Sequence, residues 1–138
     1  MWTGYSLANE ADWVTVASDG LTLKLPESDR SQGEVLLKSL VSLRTEVAAK
    51  LGGLPAPAIK VYVARSQQDF LMLTHNRIPH WGIGVAYPQA MTMVLQYRAG
   101  QSAALLQTAR HEFSHLILHH VLVSTGTHVP TWFSEGVA

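Results

Sequence analysis

His111, Glu112 and His115 stand in the run His-Glu-Phe-Ser-His, whose residue types and spacing suit a hydrolytic zinc centre. On an α-helix, residues four apart lie about 40° round the axis and one turn along it, so both imidazoles can face one ion. Glu112 lies about 60° to the side of His115, placed to hold a water without ligating the metal. A catalytic zinc takes three protein ligands and keeps one open position, so a third donor must come from elsewhere. The extended pattern, with a glycine three residues after the second histidine and a third histidine three further on, is excluded because Leu118 and Val121 occupy those positions. His119 shares the stripe, but it lies roughly 12 Å from His111, too far to share an ion at bonds of about 2 Å. Glu135 is the better third ligand, with the 124–131 segment available to turn the chain back.

The elements that must carry these groups are legible in the periodicity. Apolar residues alternate from Trp13 to Leu25 on both sides of Asp19-Gly20, a hairpin pattern with Leu21, Leu23 and Leu25 on one face. Between Glu34 and Leu51 the positions Leu36, Leu40, Leu43, Val47 and Leu51 recur at the helical period, and Gly52-Gly53 with Pro55 ends the run. A strand is expected from Ala58 to Ala64, then a short helix capped by Ser66 and Asp69 and running to Thr74. His75 to Pro88 is rich in turn formers, and its Gly82-Ile83-Gly84 fails the dinucleotide fingerprint because no strand feeds directly into a helix there. Met91 to Tyr97 reads as a half-exposed strand. A helix capped by Ser102 runs from Ala103 to about Val123 with the motif in its middle, and Thr131 caps a second helix starting at Trp132.

Composition narrows the field. The 138 residues, 47% of them apolar, predict a single α+β domain over 1–138. Ten basic residues balance ten acidic ones, which argues against nucleic acid as a partner. The lack of cysteine leaves His, Asp and Glu as the strong ligands. Met1-Trp2-Thr3-Gly4-Tyr5 has no basic stretch followed by an apolar one, and no segment has about eighteen uninterrupted apolar residues, so a soluble chain without membrane contact is expected.

The motif, followed by Pro130-Thr131-Trp132-Phe133-Ser134-Glu135-Gly136-Val137-Ala138, resembles the gluzincin metallopeptidases, specifically the bacterial group of the thermolysin-like clan with HExxH and P-x-W-x-x-E-G-x-A signatures. Softer similarity extends over Leu51-Gly52, Ile59 to Val63, Asp69-Phe70, Gly84-Val85-Ala86 and Met93-Val94-Leu95. The resemblance implies a zincin-like fold, a small mixed sheet with an exposed edge strand packed on helices and HExxH on the active-site helix. It implies Zn2+ held by His111, His115 and Glu135, with Glu112 as the base for a zinc-bound water that hydrolyses peptide bonds. It further implies that the strand from Met91 to Tyr97 is the edge above the cleft, where Met93, Val94 and Leu95 meet a peptide or protein substrate. An extracytoplasmic bacterial setting is implied as well. A carboxylate one turn after Glu135 and a donor for the oxyanion would then lie beyond Ala138, making this the N-terminal portion of a longer peptidase.

The other histidines, His75, His80, His120 and His128, have no ligand spacing and read as surface or loop residues, while Trp132 and Phe133 read as core anchors. An alternative function is a zincin-like peptide-binding or scaffolding domain without turnover. Peptide binding insensitive to a chelator would distinguish it.

Overall fold

The structure, a computed structural model, describes residues 13–52, 57–74, 84–97 and 102–126. Over these residues it is a mixed α+β fold: a five-stranded mixed sheet with three α-helices. The strands are β1 (Trp13–Ser18), β2 (Leu21–Pro26), β3 (Ile59–Ala64), β4 (Gly84–Tyr87) and β5 (Thr92–Gln96), and the helices are α1 (Arg30–Lys50), α2 (Gln67–Leu73) and α3 (Ser102–Thr125). The spatial order is β1-β2-β3-β5-β4. β2, β3 and β5 run parallel in the centre, and β1 and β4 pair antiparallel on the flanks.

Local chemistry explains the hairpin. Asp19 and Gly20 both take positive φ, 53° and 81°, as a two-residue turn matched to the twist of its strands requires. Leu21, Leu23 and Leu25 then fall on one face and are all buried. α1 begins at Arg30, earlier than its apolar period alone indicates, and it buries Leu37, Leu40, Leu43 and Val47. The expected cap of α2 is present, with Ser66 Oγ accepting from the Asp69 N–H at 3.0 Å.

Parallel strands need cover on both faces. On one side Leu23, Val61, Met93 and Leu95 pack against Leu40 and Val47 of α1 and against Leu105, Ala109, Phe113, Leu116 and Ile117 of α3. On the other, Ala64 and Val94 pack against Phe70 and Leu73 of α2. No helix among the described residues is long and apolar enough to cross a membrane.

Two expectations about the strands are corrected. β5 is not half-exposed, since all five of its residues are buried. Nor is it the sheet edge: it pairs with β3 on one side and β4 on the other, so its backbone groups are already taken. Met93 and Leu95 point into the core shared with α1 and α3, and Val94 points toward α2. None of the three can receive an added strand, so their expected role as substrate contacts fails for a topological reason. The strand that displaces β5 from the edge is β4, drawn from a stretch that reads as turn-forming.

Arg44 fastens the hairpin to α1. Its Nη2 donates to the Asp19 carbonyl and its Nη1 to the Pro57 carbonyl at 3.3 Å, while its Nε has no partner among the described residues. Burial lowers its pKa from the ordinary guanidinium value, against the opposing pull of the Asp19 carboxylate. Arg44→Met should leave two carbonyls without their donor and destabilise the fold by about 1–3 kcal/mol, measured as a lower urea midpoint at unchanged slope.

Candidate metal centre

The motif lies in the middle of α3, and its packing residues fix how the helix is turned. Phe113, Leu116 and Ile117 are fully or almost fully buried in the core beneath the sheet. With that stripe facing inward, the helical period puts His111 and His115 on a flank, where both are half-buried. Ser114 is buried beside them and its hydroxyl donates to the Arg110 carbonyl at 2.9 Å, satisfying a polar group within the helix.

His111 Nε2 and His115 Nε2 are 3.1 Å apart, and the rings meet edge to face at a centroid distance of 4.7 Å. Two imidazole nitrogens bound at about 2.05 Å to one tetrahedral ion would lie roughly 3.3 Å apart. The observed separation is therefore close to one edge of a zinc tetrahedron. It also suits a hydrogen bond between the rings, with the tautomer deciding which Nε2 donates. Imidazole nitrogen is a donor type that suits a borderline divalent metal such as zinc.

Glu112 is buried, at 8% exposure, between the helix and the edge strand. Gly84 explains how closely these approach. A Cβ at position 84 would overlap Thr108 Cγ2 and would lie 3.1 Å from Leu95 Cδ2 and 3.5 Å from Glu112 Cγ. A residue without a side chain thus lets the backbone of β4 rest directly on α3 beside the Glu112 stem.

The helix is also tied down on its far side. Arg110, the residue before His111, pairs with Glu46 of α1, which Lys50 also approaches at 3.5 Å. The hydrogen bond from Arg110 holds the Glu46 carboxyl below its ordinary value, and the same bond raises Arg110. Both groups are solvent-exposed, so the pair contributes little to the stability of the fold. A carboxyl lowered in the folded state contributes above its unfolded pKa. That contribution is lost as the pH falls through the folded value.

The structure therefore carries three of the four residues expected at the metal and its base on one helix, with the two imidazoles 3.1 Å apart at Nε2. Glu135 lies outside the described residues, as do Trp132, Phe133, His75, His80 and His128. Among the described residues no group of three or more His, Cys, Asp or Glu is arranged to hold a metal. The apolar groove at the amino-terminal ends of α1 and α3, lined by Leu25, Leu36, Val63, Tyr97, Leu105 and Leu106, contains none of the motif's side chains. Sequence reasoning missed Gly84 and Thr108. Their signal was the alternation of small Gly84 and Ala86 with large Val85 and Tyr87, which is a strand with one face pressed against a neighbour. Comparison with family models, curated proteins and solved structures finds no match for this chain.

Gly84→Ala should destabilise the fold by about 1–3 kcal/mol through overpacking. Removing the methyl it strikes, in Gly84→Ala with Thr108→Ser, should recover part of that loss. A double-mutant cycle in urea checks this; additive effects would place the strain elsewhere.

Proposed function

We propose that this chain is the catalytic part of a zinc metallopeptidase of zincin-like fold, acting on peptide bonds of proteins or peptides. The observation that carries this reading is the 3.1 Å approach of His111 Nε2 to His115 Nε2 on α3, with the buried Glu112 between them in sequence. His111 and His115 would hold the ion, and Glu135 would complete the set as the gluzincin resemblance implies. When bound, zinc supplies a Lewis acid that polarises a carbonyl oxygen and acidifies water near neutral pH.

The protein's own groups do the rest. Glu112 accepts the proton of the attacking water and passes it to the leaving amine, work that asks for a carboxylate near the ion but not bound to it. Its stem lies against the backbone of β4 at Gly84, so a peptide held along that strand comes within reach of the base. Among the described residues β4 pairs only with β5, and its other side is the sheet edge. An extended substrate adds there as a further strand, held by main-chain hydrogen bonds that read little sequence. The role first expected of β5 thus passes to Gly84–Tyr87.

The full chain should bind one equivalent of Zn2+, measured by metal analysis after dialysis. With the metal loaded, it or a longer form of the protein should cleave an unstructured protein. Glu112→Gln should keep the zinc and lower kcat by about 100-fold or more, as loss of a general base does. Zinc binding without cleavage in any form, with a peptide affinity that a chelator leaves unchanged, would favour the scaffolding alternative.

A further inference from the structure

Two cavities between α1 and α3 share Ser39 and Leu106, so they join into one furrow. Its α1 wall extends from Ser31 to Glu46, about 22 Å of helix. The first stretch, of about 490 Å³, lies at the carboxyl ends of the parallel strands, where Leu25 of β2, Val63 of β3 and Tyr97, just after β5, line it. Small-molecule sites enclose about 300–1,000 Å³, and in open sheets they form in the crevice beyond these strand ends. Apolar side chains are left open here: Val35 is 68% exposed, and Leu36, Tyr97 and Leu106 are half-buried. Asp29 is the one charged residue among the described residues lining this stretch. It is buried, and its carboxylate accepts from Arg65 Nη1 at 3.1 Å, so the apolar end presents no uncompensated charge.

The second stretch, of about 640 Å³, is polar, with Lys38 and Arg110 set against a single carboxylate, Glu46. Arg110 already engages that carboxylate and Lys50 approaches it too, which leaves Lys38 without an ion-pair partner among the described residues. We infer that the furrow binds a long-chain alkyl carboxylate, its chain along Val35, Leu36 and Leu106 and its charged end on Lys38. An apolar trough leading to one uncompensated cation is complementary in charge to a ligand that is apolar along its length and anionic at one end. A cationic or zwitterionic amphiphile would bring positive charge against Lys38, and a neutral one would leave it unanswered. None of His111, Glu112 and His115 lines either stretch, so this site stands apart from the proposed hydrolytic one.

Calorimetric titration of the full chain with dodecanoate, below its micellar concentration, tests this. Binding should saturate at one equivalent and be unchanged by a chelator. Dodecanol should bind about tenfold more weakly for want of the charged contact. Hexanoate should bind at least about 100-fold more weakly for want of buried methylenes. Lys38→Glu should weaken dodecanoate about tenfold or more and leave dodecanol unchanged, whereas Val35→Asp should weaken both. Both positions are exposed, and far-UV circular dichroism checks that each variant keeps its fold. Uptake that does not saturate, or binding that neither variant alters, would overturn the site. So would a wild-type dimer, seen by sedimentation, that Val35→Asp dissociates, since a second copy would then fill the furrow.

Discussion

The angle at which α3 is turned about its own axis is the constraint on which the site depends. Leu105, Ala109, Phe113, Leu116 and Ile117 form a single buried stripe, and everything else on the helix takes its bearing from it. Burying one large apolar side chain contributes about 1.5–3 kcal/mol, well above what an exposed pair such as Arg110 and Glu46 supplies. The apolar residues inside and between the turns of the motif are therefore what aim the imidazoles. Changing Phe113 to a small residue would disturb the imidazole pair without touching either ring.

The sheet imposes a complementary limit. Of the three parallel strands, β5 is covered on both faces, with Val94 toward α2 and Met93 and Leu95 toward α1 and α3, whereas Lys24 of β2 and Lys60 of β3 leave the second face partly open. Such a strand has no unpaired side. Among the described residues the edges fall to β1 and to β4, a strand of four residues whose Gly84 approaches α3 more closely than any side chain would permit.

Much of this was legible from the residues alone. The hairpin announced itself through alternation and Asp19-Gly20, α1 through its apolar period, and the motif through its own spacing, because each is a local pattern that needs no knowledge of neighbours. What misled was non-local. Thr92 and Gln96 read as an exposed face, yet they are buried, and polarity along one strand cannot report a second layer packed over it. β4 was passed over because its four residues follow turn formers and carry two small side chains, a pattern that makes sense only once Thr108 stands opposite. Leu36, expected in the core stripe of α1, is half-buried while Leu37 beside it is buried, because both stand at a helical spacing, four and three residues, from Leu40.

The guanidinium of Arg44 reaches from α1 to both the tip of the hairpin and the segment leading into β3. Three pieces of chain distant in sequence are thereby clasped at one point, and β3 also donates its first backbone link to that tip, from the Ile59 N–H to the Gly20 carbonyl at 3.1 Å. A hairpin at the margin of a sheet would ordinarily fray on its own. Here its opening requires the Arg44 side chain and the backbone link to β3 to let go as well, which couples the hairpin to α1 and to its neighbouring strand.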